Sequence, residues 1–347
     1  MKKPVIDVFD KWLKEESGDF SGVFSVSGTD GVINQYVNGY LNKAEKLPNT
    51  PETAFGIASG TKLFTGLSIC KLIDGKKLSF EDKLYDLLPY DLGRIDRAVT
   101  VYHLLTHTSG VGDYIDEESD DCDEQLQKLY DNYPVQLWTR LEYYLQMIAP
   151  LSPKFSPGER YGYSNSGYIL LGLIVEAVSG LPYQQYVEDF IIAPCNLAHT
   201  GFYHTDFLPA NTALGYVKDN KTDEWRTNIF SLPITGGSDG GLYTCADDMD
   251  KLWRAIMSNN ILSEEMTKAF LKSYVAISEK DDKESYGLGV YHYENKGKKV
   301  HFAVGGDSGV GFCTAYYPKT GVVASCLVNT GWMSFYDLIG ELLEVLG

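Results

Sequence analysis

The sequence predicts an α/β (α+β) fold in which an antiparallel sheet is flanked by helices and carries an inserted, mainly helical domain. Three observations predict it: strand-like runs gather at both ends of the chain, helical periodicity dominates the middle, and each end adds a helix suited to covering a sheet. Residues 1–80 and 231–347 are expected to build the sheet domain and 81–230 the helical insertion, with a cleft between them.

Residues 4–16 read as a short amphipathic helix. Phe20 to Ser27 and Val32 to Tyr40 follow as a hairpin turned at Asp30-Gly31. Ala54 to Ile57 is a brief apolar strand, after which Leu63, Leu67, Cys70 and Ile73 recur at helical spacing until Gly75. That helix is expected to begin at or beside Ser59. Segments 101–106, 124–148 and 166–179 are the next helix candidates, punctuated by Pro-Gly and Ser-Gly pairs. A helix is expected over 246–258. Strand signals return at Tyr286–Tyr293, Lys299–Val304, Gly311–Tyr317 and Val322–Val328, and a closing helix spans 333–346.

Composition narrows the chemistry. The 347 residues carry 30 basic against 47 acidic side chains, a net charge of −17. A nucleic-acid partner needs a basic footprint, and none is present. No run approaches the ~18 apolar residues of a membrane span. Asp7 and Asp10 interrupt what would have to be an apolar export signal, so a cytoplasmic location is expected. Six scattered cysteines without a C-x-x-C pair read as free thiols, which suits a reducing compartment. The acidic run over 116–124 lacks the Asp-Gly register of a calcium loop and reads as a solvated segment.

Two short motifs carry reactivity. Ser59-Gly60-Thr61-Lys62 places a hydroxyl and an amine three apart on one helix face, within reach of each other. Serine becomes a useful nucleophile only when a neighbouring base takes its proton, and an amine with a pKa lowered by burial can do so. The helix amino terminus would aim N–H groups at charge developing beside the serine. Tyr163-Ser164-Asn165 sets a phenol and an amide two residues apart, able to enter one cleft. An ammonium beside Tyr163 would hold the phenol near its phenolate form, making it a general base and then an acid.

Together with Val99 to Gly110, the Tyr168 to Gly180 helix and Gly240 to Asp248, these motifs resemble the serine β-lactamase and penicillin-binding-protein superfamily. The likeness is to the branch of class C β-lactamases, D,D-carboxypeptidases, D-aminopeptidases and esterases, and it runs from about residue 20 to 330. It implies the β-lactamase/transpeptidase-like fold, an acyl-enzyme on Ser59, Lys62 as its activating partner, Tyr163 as general base and acid, and Asn165 as a ligand of substrate and lysine. It implies no cofactor and no metal. The partner expected is a small ester, amide or D-amino-acid peptide. Which of Lys62 and Tyr163 takes the proton stays open, because two such groups titrate as a coupled pair.

The third motif of that superfamily, a Lys- or His-led triplet ending in Gly, is replaced by Ala303-Val304-Gly305. The amides of Ser59 and Gly306 remain for an oxyanion hole, and Gly305 and Gly306 are expected to line the substrate site. Without a cation at Ala303, substrates bearing a carboxylate should be poorly held. His301, two residues earlier on the same strand face, is the one nearby substitute, although it reads as a solvent-facing strand histidine. A ligand- or protein-binding protein that has lost catalysis is the alternative to an active hydrolase.

Four other patterns are set aside. Lys319-Thr320-Gly321 reads as a hairpin turn, and Gly306-Asp307-Ser308-Gly309 lacks the context of a trypsin-like protease. His103 and His107, four apart, lack a zincin's glutamate and read as scaffold. Gly236 to Gly241 reads as a flexible loop at the cleft edge.

Overall fold

The computed structural model describes every residue except 1, 17–19, 118, 120, 121, 220, 279, 281 and 282; parts of the acidic run thus lie outside the described residues. The chain forms α1 (Lys2–Glu15), β1 (Gly22–Gly28), β2 (Gly31–Asn38), α2 (Thr61–Asp74), α3 (Asn165–Ser179) and α4 (Ala246–Met257). It continues through β3 (Val275–Ala276), β4 (Glu284–Tyr286), β5 (Tyr291–Asn295), β6 (Lys298–Asp307), β7 (Val310–Tyr317), β8 (Val322–Val328) and α5 (Phe335–Leu346). Short helices and loops fill the stretch between α2 and α4.

One sheet of eight strands holds these together in the order β2-β1-β8-β7-β6-β5-β4-β3, every neighbouring pair antiparallel. The N-terminal hairpin joins the C-terminal strands through β1 and β8, so the two ends of the chain close a single sheet. Each strand sends alternate side chains to opposite faces. On β7, Cys313, Ala315 and Tyr317 enter a core shared with α1 and α5, while Phe312 and Tyr316 enter the larger core shared with α2 and α4. Phe9 of α1 stacks on Phe24 of β1 with centroids 4.0 Å apart, and the Trp12 indole donates to the Ser334 carbonyl, tying α1 to the start of α5.

α2 is apolar or uncharged almost all round and buried along most of its length, as a helix sandwiched between a sheet and other helices must be. Its approach to the sheet requires Gly66. A Cβ there would stand 2.0 Å from the Leu288 carbonyl oxygen. The same contact explains a departure from expectation: the strand predicted over 286–293 breaks into β4 and β5 at Gly287 to Val290, where Gly289 adopts φ 104° and passes over Gly66. The helix expected over 124–148 is likewise broken. It runs over Cys122–Asn132, stops ahead of Pro134, and resumes as 3₁₀ turns and a short helix over Leu145–Ile148. No single described helix is long and apolar enough to cross a membrane.

Gly66→Ala should therefore lower the urea midpoint, by about 1–3 kcal/mol of stability for overpacking against backbone, with the denaturant slope unchanged. An unaltered midpoint would show that α2 and the β4–β5 turn are not in this close contact.

Candidate active site

Ser59 lies on a tight turn rather than on α2 itself. The short strand Phe55–Gly56 leads into a 3₁₀ turn over Ala58–Gly60, and α2 begins at Thr61. Ala58 holds a left-handed φ of 44°, a conformation that costs a non-glycine residue of order 1–3 kcal/mol and persists only where its surroundings impose it. Those surroundings are visible. The Thr61 hydroxyl donates to the Ala58 carbonyl at 2.8 Å and accepts the Leu242 N–H at 3.0 Å, and the Gly60 N–H donates to the Ile57 carbonyl at 2.8 Å. From the other side β6 presses Gly305 against the turn, where a Cβ would stand 2.0 Å from the Ile57 oxygen and 2.9 Å from the Ser59 nitrogen.

Lys62 occupies the first turn of α2, so the three-residue spacing puts its amine beside the hydroxyl, with Nζ 3.0 Å from Ser59 Oγ. The same nitrogen is 2.7 Å from Asn165 Oδ1 and 2.7 Å from the Asp239 carbonyl oxygen. The Tyr163 hydroxyl donates to Ser59 Oγ at 2.8 Å. A hydroxyl, an amine, a phenol and an amide thus converge from two helices and two loops.

Burial strips water from Lys62 and lowers its pKa, against the opposing pull of Asp239, Glu117, Asp113 and Asp307. Tyr163 moves the other way. Burial, reinforced by the Glu117 carboxylate, pushes its phenol well above the ordinary value despite the hydrogen bond to Ser59. This runs against the expectation of a near-phenolate tyrosine: the Lys62 amine sits 4.8 Å from the ring centroid, yet burial raises the phenol and favours its neutral form.

A supporting shell that the sequence did not reveal aims these groups. Both oxygens of Asp113 accept N–H bonds at the start of α3, from Asn165 and Ser166, each at 2.8 Å. The Asn165 side-chain amide donates to Glu117 at 2.8 Å, which turns its oxygen toward Lys62. His107, with φ 56°, accepts the Ser164 N–H on Nδ1 at 3.1 Å and packs its ring 4.6 Å from that of Tyr163. His103 caps the helix over Val101–Leu105 together with Thr100. Both histidines are scaffold, as the absence of a zincin's glutamate suggested. The loop at Gly236 to Gly241, expected to be flexible, is instead largely buried. It is pinned by the Gly237 N–H to the Gly240 carbonyl, by the Asp239 carbonyl on Lys62 and by the Tyr114 hydroxyl on the Asp239 carboxylate. Glycines there permit close backbone approach, a role composition does not distinguish from mobility.

On β6, Ala303 and Gly305 share the face turned toward α2, so no cationic side chain occupies the start of this triplet. His301 does not replace it. It is half-buried and pairs with His292 on β5, Nδ1 to Nδ1 at 2.6 Å, and burial lowers the two to about 4 and about 3, leaving both neutral near pH 7. Lys319 to Gly321 forms the turn between β7 and β8, closed by the Gly321 N–H on the Tyr317 carbonyl. Ser59 and Gly306 open into two recesses. One, of about 280 Å³, is also lined by Glu117, Asn165, Asp239 and Asp307, and the other, of about 510 Å³, by Tyr163, Gly305, Tyr291 and Trp332. Asp307, set aside in the sequence with Gly306 to Gly309, belongs to the first.

Gly305→Ala should shift the nucleophile's turn and slow the reaction of Ser59 with a fluorophosphonate by about 10²-fold, the usual scale for a displacement near 1 Å. A labelling rate equal to that of the unaltered protein would contradict the contact.

Known proteins resemble this chain along most of its length. The sequence pattern described as Beta-lactamase matches residues 9–336. The putative penicillin-binding protein PbpX of Bacillus subtilis (strain 168) is 28% identical over 298 residues, 84% of this chain and 68% of its own length. The crystal structure of a penicillin binding protein from Bacillus halodurans superposes with a TM-score of 0.87 at 37% identity, covering 99% of this chain and 100% of that one. A D-stereospecific amidohydrolase from Streptomyces sp. shares the fold at a TM-score of 0.81 and 21% identity, over 98% and 97% of the two chains. With an eight-stranded sheet closed from both termini and a match along nearly its whole length, the chain belongs to the Beta-lactamase family.

Proposed function

We propose that the protein is a serine hydrolase that forms an acyl-enzyme on Ser59 and acts on a small ester or a D-amino-acid amide or peptide. One observation carries the reading: Ser59 Oγ stands within hydrogen-bonding distance of both the Lys62 amine and the Tyr163 hydroxyl. Three oxygens surround Lys62 Nζ. A neutral amine satisfies them by donating two hydrogens, to Asn165 and Asp239, and accepting the Ser59 proton; an ammonium satisfies them by donating three. The proton can therefore move from Ser59 to Lys62 without rearrangement of the site, and the lowered pKa of Lys62 makes its neutral form accessible.

In this mechanism Ser59 Oγ bonds to the substrate carbonyl carbon as its proton passes to Lys62. The resulting oxyanion faces the amides of Ser59 and Gly306. Tyr163, protonated in the resting site, gives its proton to the departing amine or alcohol as the old bond breaks, and Lys62 restores it. Water then attacks the acyl carbon as the neutral Lys62 amine takes its proton, and Lys62 passes that proton to the Ser59 oxygen as the acyl bond breaks. Ala303 leaves no cation for a substrate carboxylate, which favours substrates without one.

Incubation with a fluorophosphonate followed by intact mass should show one adduct that Ser59→Ala abolishes; absence of any adduct with acylating probes would favour a binding protein. The acylation rate should rise with pH as Lys62 loses its proton, with a midpoint below the ordinary lysine value of about 10.4, because the active form is the neutral amine. A midpoint at or above that value would contradict Lys62 as acceptor. Tyr163→Phe should reduce turnover of a p-nitrophenyl ester by roughly 10²–10⁴-fold with folding unchanged, and undiminished turnover would remove Tyr163 from the mechanism.

A further inference from the structure

The group that departs from the acyl-enzyme has a defined direction. It takes its proton from the Tyr163 hydroxyl, which stands 2.8 Å from Ser59 Oγ, so it leaves into the recess that Tyr163 lines. That is the recess of about 510 Å³; Tyr163 is not among the described residues around the other.

Two kinds of side chain make its wall. The rings of Tyr161, Tyr291, Trp332 and Tyr336 stand around it beside Tyr163, and the carboxylates of Glu117 and Glu284 join them. No lysine, arginine or histidine is among the described lining residues, and Ala303 adds no positive charge at the start of the β6 triplet.

Packing fixes these rings. A Cβ at Gly306 would stand 2.6 Å from the Trp332 ring, so the indole lies directly on the strand that supplies the Gly306 amide. Tyr336, in the first turn of α5, sets its ring 6.0 Å from that of Trp332 and edge-on to Phe302 at 5.9 Å. Phe302 in turn stacks on Tyr291 at 5.3 Å, and the Tyr291 and Tyr336 hydroxyls are hydrogen-bonded. Loss of water, together with the negative charge of Glu284 and Glu117, pushes the Tyr336 phenol up to about 12. Its ring is therefore neutral, and both acids act on the space beside it.

Such a wall discriminates by charge. The negative faces of tyrosine and tryptophan rings attract an organic cation, and carboxylates add to the pull. A leaving group that carries its own carboxylate would meet two like charges.

We propose that the departing portion of the substrate is a cation, an alcohol or amine bearing an alkylammonium group, received against the Trp332 and Tyr336 rings and drawn by Glu284 and Glu117. This rests on the acyl-enzyme reading and specifies the leaving half of the substrate, which that reading leaves open.

The test uses three acetate esters that share one acyl group and differ in the alcohol: acetylcholine, neohexyl acetate, in which carbon replaces the quaternary nitrogen, and the anion β-acetoxypropionate. Proton release gives kcat/KM for each, divided by its rate of alkaline hydrolysis to remove intrinsic reactivity. Acetylcholine should exceed neohexyl acetate by about tenfold or more, with the anion lowest. Trp332→Ala and Glu284→Gln should each cut that preference by about threefold or more. On the unaltered protein, choline should slow fluorophosphonate labelling of Ser59 at about tenfold lower concentration than neohexyl alcohol does. Equal corrected rates for the charged and neutral esters, or a preference untouched by both variants, overturn this proposal alone, because acetyl transfer still occurs. If Ser59 is labelled and none of the esters is turned over, protection decides: choline no better than neohexyl alcohol overturns the proposal, and choline tenfold better supports it. Failure to turn over any ester, with no adduct on Ser59, overturns the acyl-enzyme reading and this proposal with it.

Discussion

Everything in the site turns on a single buried amine. A lysine withdrawn from water is costly unless each of its hydrogens finds an acceptor, and Lys62 has three: a serine hydroxyl, an amide oxygen and a backbone carbonyl. None of these is a carboxylate. A direct ion pair would hold the lysine charged, whereas neutral acceptors let burial lower its pKa while distant acids keep the ammonium tolerable. The tension between desolvation and the surrounding negative field is what makes the group suited to exchanging a proton with Ser59.

The fold serves this arrangement by bringing backbone unusually close to backbone. Gly66 admits the β4–β5 turn against α2, and Gly305 lets β6 press on the turn that carries Ser59. Between them the nucleophile is held from the sheet side and its lysine from the helix side. The opposite wall is set by the start of α3, where Asp113 gathers the first N–H groups and His107 supports the segment bearing Tyr163. Sheet and helices share one continuous apolar core, from Phe55 and Leu67 through Tyr168 to Phe312, so the cleft walls are parts of a packed body.

Much of this was legible in the sequence, for identifiable reasons. Strand-forming runs bounded by turns exposed β7 and β8 almost to the residue, and the Ser59/Lys62 and Tyr163/Asn165 spacings pointed to groups that the structure brings together. Where reading failed, the cause was local at Pro134, which ends the helix over Cys122–Asn132, and tertiary elsewhere. Nothing local distinguishes the Gly287-Leu288-Gly289 break from a continuing strand, because its reason is contact with Gly66 far away in the chain. Asp113 belongs to no pattern, and Glu117, Asp239 and Asp307 lie in an acidic run, a glycine-rich loop and a protease-like tetrapeptide that were each read otherwise; the meaning of all four comes from facing one lysine. The protonation of Tyr163 went the other way from expectation since a motif shows which charges are near but not how much water is excluded.

The acidity of the whole chain acquires a local sense at this site, where the titratable carboxyl groups lining the recess are not matched by any lysine, arginine or histidine among the described lining residues, and Ala303 opens the β6 triplet without a cation. The most direct test of the account is the titration of Lys62 itself, followed by NMR on protein labelled with ε-¹³C,¹⁵N-lysine and assigned with Lys62→Met. The account predicts a resonance that titrates below the ordinary lysine value of about 10.4 and shifts when Asn165 is replaced by Ala; a Lys62 signal that stays charged through that value would contradict it.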